Sequence, residues 1–115
     1  MSLKREVMLW AAQRLTAVVL ALCVVVHLAT MIYAIRGGLS AAEILGRTRG
    51  SYAWGTFYGI FAVAAAIHGA IGLRTVASEW LGFRGDAAEV ATTAVAVLLT
   101  VIGLRAVVGV VAGAP

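Results

Sequence analysis

One ionisable side chain lies in the middle of a long apolar stretch of this sequence. His68 falls inside residues 54–80, a run that is too long and too apolar for the core helix of a soluble protein and is typical of a membrane span. At roughly 100° per residue, Ala64 and Gly72 lie on the same helical stripe, one turn before and one turn after the histidine. Because an imidazole in hydrocarbon is costly, we expect His68 to have a function.

The chemistry that fits His68 best is axial ligation of a haem iron. A neutral imidazole nitrogen bonds iron while a neighbour holds the other ring nitrogen. The small residues Ala64 and Gly72 would leave clearance for a flat macrocycle packed against the helix. Two alternatives stay open for the same histidine, a hydrogen bond between helices and a proton-relay step.

His27 is the second histidine, and it lies in the first apolar stretch. Counted from the Arg14 end, it should lie deeper in the membrane than His68 by roughly 5–10 Å. Two ligands of one haem approach the iron at nearly the same depth, so each histidine would need a partner from another subunit or another copy of the chain. The alternative for His27 is a packed, hydrogen-bonded side chain.

Four polar or aromatic side chains are expected at one membrane interface. Arg14 and Thr16 lie near the start of the first apolar stretch, and antiparallel packing would bring Glu79 and Trp80, which end the second, to the same side. These groups could bind a quinone headgroup, which needs donors to its carbonyl oxygens and a proton route. The alternative is ordinary interfacial anchoring. A charged Arg14 inside a span needs snorkelling or a partner, either Glu79 or a haem propionate.

These residues require long helices to position them. The chain has 115 residues, of which 63% are hydrophobic and 12% charged, whereas a soluble domain is nearer half apolar and a quarter charged. We therefore predict an all-α integral membrane protein, a single domain over residues 1–115 with three transmembrane helices running up, down and up. After a polar cap at 1–8, the spans should cover about 8–35, 52–80 and 88–111.

The connections and charges complete the predicted topology. Ser40 and Glu43 fit a capping box and predict a short interfacial helix through Leu45 in the first connection. The net charge of +4 is typical of residues that snorkel to the lipid headgroups and set topology, and it does not indicate nucleic-acid binding. The basic residues divide almost evenly between the two sides, with a slight bias toward a cytoplasmic N-terminus and an opposite placement of residues 37–50.

Three sequence features together resemble a known family. They are Gln13-Arg14-Leu15-Thr16-Ala17 at the start of the first span, His68-x-x-x-Gly72-x-Arg74 in the second, and the pair Glu79-Trp80. In this order they resemble the membrane-anchor cytochrome b subunits of succinate dehydrogenase and fumarate reductase. The resemblance covers nearly the whole chain, and its most specific part runs from His68 to Trp80.

The resemblance implies a haem b subunit of the inner (cytoplasmic) membrane. It would hold a flavoprotein subunit and an iron–sulfur subunit at the membrane, beside a second anchor subunit or a second copy of this chain, and pass electrons to or from quinone. His68 would ligate haem b, and Arg14 and Thr16 would help to form the quinone site. His27 resembles the helix-one ligand of two-haem members, so one haem is expected and two are an alternative.

Some features depart from this family or leave other functions open. The family's smaller subunit often ends helix two with Asp-Tyr, whose tyrosine bonds the quinone, whereas this chain has Glu79-Trp80. The chain carries no flavin or cluster motif, so it is not expected to be catalytic alone. The alternative functions are a cytochrome b anchor of another quinone-linked oxidoreductase and a haem-free helical scaffold or transporter subunit.

Overall fold

The computed structural model describes residues 2–112, which form four α-helices. Helix α1 spans Leu3–Arg36, α2 spans Ala41–Thr48, α3 spans Tyr52–Leu81 and α4 spans Asp86–Val111. Helices α1, α3 and α4 are long and apolar enough to cross a membrane. They confirm the predicted all-α fold with three spans. Met1 and residues 113–115, which belong to the predicted domain, lie outside the described range.

Helix α1 begins earlier than the sequence predicted. The polar residues ahead of residue 8 were expected to form a cap outside the span, but the helix already begins at Leu3. The side chain of Ser2 accepts a hydrogen bond from the backbone N–H of Arg5 at 3.3 Å and so caps the helix. Because Glu6 then lies in the first turn, its charge is favourable at the positive end of the helix dipole.

Helix α2 forms where the capping box predicted a short helix. The side chain of Ser40 accepts from the backbone N–H of Glu43 at 3.2 Å. The helix continues past Leu45, its predicted end, to Thr48, which is buried. The hydroxyl of Thr48 donates to the carbonyl oxygen of Val110 at 2.6 Å. This bond ties the first connection to the end of α4.

Helix α3 lies between α1 and α4 and packs against both. Its buried side chains are small or medium-sized: Ala64, Ala66, Ala70 and Ile71. On the α4 side the backbones come close, because a Cβ added at Gly103 would lie 3.0 Å from the Cβ of Ala62. Small residues at such contacts are typical of membrane helices, where close packing drives association.

The outward faces of the long helices are apolar and exposed. In α1, Leu15 and Leu22 are both 67% exposed, and in α4 Val90 is 69% exposed. Exposed apolar side chains at this density are unfavourable in water but not in lipid. The surface therefore agrees with a multi-pass membrane protein whose spans are covered by lipid or by neighbouring subunits.

Candidate functional site

Thr16 and His68 meet where α1 contacts α3. The Oγ1 atom of Thr16 lies 3.2 Å from Nδ1 of His68. The same oxygen lies 2.7 Å from the carbonyl oxygen of Ala12 and 3.1 Å from that of Gln13. Thr16 is 8% exposed, and His68 is half-buried. The resemblance implied that Thr16 contacts a quinone and that His68 binds a haem. In the structure the hydroxyl of Thr16 contacts His68 itself.

The two ring nitrogens of His68 differ in their hydrogen bonding. Among residues 2–112, Nδ1 has Thr16 as its partner, while Nε2 has no hydrogen-bond partner. The same part of the chain contains no group of three or more His, Cys, Asp or Glu side chains that could hold a bare metal ion. A haem iron needs only axial ligands from the protein, because the macrocycle supplies the rest. The donor set at His68 therefore fits a haem.

The predicted clearance beside His68 faces another helix. Ala64 is 6% exposed, and a Cβ added at Gly72 would lie 3.5 Å from Nε2 of Gln13. The side chain of Gln13, which comes from α1, therefore occupies the space opposite Gly72. The clearance at Gly72 therefore faces a side chain of α1, and packing of a haem against Ala64 and Gly72 stays a prediction.

His27 lies at the other end of the bundle, against aromatic rings of α3. Its ring centroid is 6.1 Å from that of Tyr58 and 5.7 Å from that of Phe61, and both pairs are nearly perpendicular. These two residues precede His68 by two to three turns of α3, about 10–15 Å of helix rise. The depth offset is thus somewhat larger than the sequence estimate.

An apolar cavity of about 420 Å³ adjoins His27. Leu45 of α2, Phe61 of α3 and Val107 of α4 contribute to its walls. A half-buried imidazole in edge contact with two aromatic rings, beside an apolar cavity, fits the packed alternative for His27, and the ligand role stays a prediction.

Arg14 lines a second cavity, of about 370 Å³, between the start of α1 and the end of α3. Its guanidinium carbon lies 4.7 Å from the ring centroid of Trp10, a cation–π contact. Gln13 of α1 and Arg74 and Thr75 of α3 form further parts of the wall. Cationic, amide and hydroxyl groups therefore meet an indole ring around one space at this end of the bundle.

Glu79 and Trp80 do not reach Arg14. Neither residue lines the cavity, both are exposed, and Trp80 is 80% exposed. Within residues 2–112, Arg14 contacts Trp10 and forms no ion pair with Glu79. The pairing of Arg14 with Glu79 that the sequence suggested is therefore absent.

The helix register explains why this pairing fails. Thr16 is level with His68, and Gln13 is level with Gly72. This register puts residue 14 level with about residue 70 of α3, so Glu79 lies about 12 Å further along the helix. Arg14 and Glu79 therefore lie toward the same side of the membrane but at different depths.

Four charged residues, which we call the charged cluster, join the three spans at this end: Arg5, Glu6, Arg74 and Glu89. Arg74 donates to Oε1 of Glu89 through Nε at 2.9 Å, and its Nη2 lies 2.8 Å from the same oxygen. Arg5 donates to Oε2 of Glu89 at 2.7 Å, and Arg74 donates to Glu6 at 3.3 Å. The side chains of Arg74 and Glu89 are 15% and 19% exposed, whereas those of Arg5 and Glu6 are about half exposed.

The charged cluster was not predicted from the sequence. A signal was nevertheless present, because Arg74 and Glu89 are opposite charges near the adjoining ends of consecutive antiparallel spans. Charges inside apolar helices are tolerated when they pair with each other. Trp10 and Gln13 were also missed as cavity residues, since their contacts depend on the register of α1 against α3.

Comparison with known proteins identifies the family. Neither the curated proteins nor the solved structures give a match. The family model of the succinate dehydrogenase/fumarate reductase transmembrane subunit matches residues 1–108. This match covers His68, Thr16 and Arg14 and nearly all of the three spans. The chain therefore belongs to the family of succinate dehydrogenase/fumarate reductase transmembrane subunits.

Proposed function

We propose that this chain is the haem b-containing membrane anchor of a succinate:quinone oxidoreductase, with His68 as an axial ligand of the haem iron. Membership of the family supports the anchoring role. The observation that carries the haem proposal is the state of His68 in the middle of α3. One ring nitrogen is held by Thr16, and the other has no partner among residues 2–112.

In this proposal the protein supplies one ligand and the surroundings of the haem. When bound, the haem would supply a one-electron carrier within the membrane. His68 would hold the iron through Nε2. His27 lies too far along the bundle to serve the same iron, so the second ligand would come from a partner anchor subunit or a second copy of this chain. We propose one haem, with His27 as a packed histidine.

The cavity beside Arg14 is the proposed quinone site. A guanidinium keeps its charge at all accessible pH values and can donate to a quinone carbonyl oxygen. The indole ring of Trp10 gives a flat apolar surface, and the amide of Gln13 offers a further polar group. We leave Glu79 and Trp80 out of the site because they do not line the cavity, and Thr16 because its hydroxyl is engaged inside the protein.

The partners follow from the family. A flavoprotein subunit and an iron–sulfur subunit would dock at the cytoplasmic end of the anchor and deliver electrons to the quinone, or receive them from it. We propose that this end is the one that holds the N-terminus and the Arg14 cavity, in the inner membrane. The slight excess of basic residues on that side supports the orientation.

The haem proposal is tested by His68→Ala in the complex purified from native membranes. We expect haem absorbance to be lost or strongly reduced while the chain stays in the membrane. His27→Ala is the matched control, because it removes the other histidine of the chain and should keep the haem. Full haem content with an unchanged spectrum in His68→Ala would refute the assignment, and a purified native complex without haem would favour a haem-free scaffold.

The quinone proposal is tested by Arg14→Leu, with Arg105→Leu as a control for loss of an arginine from a span. We expect Arg14→Leu to lower quinone reduction by the assembled complex. Electron transfer from succinate to a soluble acceptor that bypasses the membrane site should survive. Equal loss of both activities would point to failed assembly, and unchanged quinone reduction would make Arg14 an interfacial anchor only.

A further inference from the structure

We infer that Thr16 is a positioning residue for His68, whose hydroxyl fixes the imidazole as the Nδ1–H tautomer and leaves Nε2 as the ligand nitrogen. This inference rests on the proposed function, in which His68 binds the haem iron. It changes the role of Thr16 from a quinone contact to a determinant of the electronic properties of the haem ligand.

The position of one proton decides the tautomer. A threonine hydroxyl has a single proton to donate, and a carbonyl oxygen can only accept. The Oγ1 atom of Thr16 is closer to the carbonyl oxygen of Ala12, at 2.7 Å, than to that of Gln13, at 3.1 Å. The proton therefore goes to Ala12, which is the back-bond that threonine commonly forms one turn earlier in its own helix.

The hydrogen bond between Thr16 and His68 can then run in only one direction, with His68 as the donor. With its proton engaged, Oγ1 presents lone pairs to Nδ1 of His68 at 3.2 Å. This contact is a hydrogen bond only when Nδ1 carries a proton and donates it. In a neutral imidazole the lone pair then lies on Nε2, which is the nitrogen that has no partner among residues 2–112.

The surroundings hold this arrangement in place. Thr16 is 8% exposed, so water does not readily compete for its oxygen. Its β-branched side chain has few rotamers in a helix, and the back-bond to Ala12 restricts it further. The oxygen belongs to α1 and the ring to α3, so the packing of the two helices sets the orientation of the imidazole plane.

A hydrogen bond at Nδ1 affects the iron through the ligand. An oxygen that accepts a hydrogen bond from Nδ1–H raises the basicity of the imidazole and fixes its orientation. A more basic ligand stabilises ferric over ferrous iron, and hydrogen bonding to an axial ligand is one of the means by which a protein sets the haem potential. Loss of the Thr16 oxygen should therefore make the haem easier to reduce.

The test compares three variants in the complex purified from native membranes. Thr16→Val removes the oxygen at nearly constant volume, and Thr16→Ser keeps it. Thr30→Val is the matched control, because Thr30 lies on the same helix and bonds the carbonyl oxygen of His27 at 2.8 Å without contacting His68. The measurements are haem content and the midpoint potential from a redox titration of the haem absorbance.

We expect Thr16→Val to keep its haem and to lower the ferric-to-ferrous ratio at a fixed potential by about three- to tenfold. That change corresponds to a rise of about 30–60 mV in the midpoint, at 59 mV per tenfold for one electron. Thr16→Ser and Thr30→Val should match the unmodified complex. Haem loss in Thr16→Val with retention in Thr16→Ser would also support the role of the oxygen.

Three results would overturn the inference. They are an unchanged midpoint in Thr16→Val with full haem, haem loss in both Thr16 variants, and an equal shift in Thr30→Val. The proposed function fails separately, through full haem in His68→Ala. Haem loss in His68→Ala together with an unchanged midpoint in Thr16→Val would refute only the role of Thr16.

Discussion

Glu89 is the residue on which the charged cluster depends. Its two carboxylate oxygens accept from Arg5 of α1 and Arg74 of α3, while Glu89 itself belongs to α4. Glu89→Gln keeps the size of the side chain and one acceptor oxygen but removes the charge. The substitution leaves Arg74, which is 15% exposed, with Glu6 as its remaining carboxylate partner in the cluster.

The exposed fractions of the paired side chains indicate how much stability each substitution should cost. Removing one partner of a fully buried ion pair costs about 3–5 kcal/mol, and an exposed pair contributes about 0.2–1 kcal/mol. The pair of Glu89 with Arg74 lies between these limits and nearer the buried one, at 19% and 15% exposure. We therefore expect Glu89→Gln to lower the free energy of unfolding by about 2–3 kcal/mol. Glu6→Gln, whose side chain is 51% exposed, should cost less than about 1 kcal/mol.

The assay is unfolding in mixed detergent micelles, followed by circular dichroism. If the penalty comes from the loss of Glu89 as a counter-charge for Arg74, adding Arg74→Gln to Glu89→Gln should recover part of the lost stability. A Glu6→Gln penalty as large as that of Glu89→Gln would refute the central place of Glu89 in the charged cluster. A double variant that is less stable than Glu89→Gln alone would refute it as well.

Three further predictions concern packing, topology and the second histidine. Gly103→Val should destabilise the bundle by about 1–3 kcal/mol in the same assay, because the valine side chain would overlap Ala62. Gly59→Val is the control, since a Cβ at Gly59 meets nothing within 4 Å. Equal effects of the two substitutions would contradict the close packing at Gly103. Ser40→Cys should react with an impermeant thiol reagent from the outer side and Ser2→Cys from the cytoplasmic side, so a cytoplasmic residue 40 would contradict the proposed topology. His27→Phe should retain the haem content measured by absorbance, because the ring would still pack on Phe61, whereas loss of part of the haem would indicate a second haem.

The spans could be predicted because a chain can cross a membrane in only a few backbone structures. A chain in hydrocarbon must satisfy its backbone hydrogen bonds internally, so each long apolar run here had to be a helix. The helix ends were harder to predict. Residues 4–6 are charged and look like a polar cap, but Ser2 and the favourable charge of Glu6 extend α1 through them. The bond from Thr48 to Val110 likewise extends the contacts of α2 beyond its predicted end.

The site was predicted in part, because the sequence identifies residues without their register. The cost of a buried imidazole made His68 a candidate on its own. Its contact with Thr16 depends on the register of α1 along α3, which the sequence does not give. The same uncertainty made Glu79 look like a partner of Arg14, although they lie about two turns apart in depth.

The charged cluster has a consequence for how the protein enters the membrane during synthesis. The spans emerge in the order α1, α3, α4, so Glu6 is already present when Arg74 is inserted, whereas Glu89 arrives last. Arg74 therefore gains Glu89, which lies closer to it than Glu6, only when α4 inserts. The charged cluster can thus be complete only after α4 has inserted, because Glu89 bonds both Arg5 of α1 and Arg74 of α3.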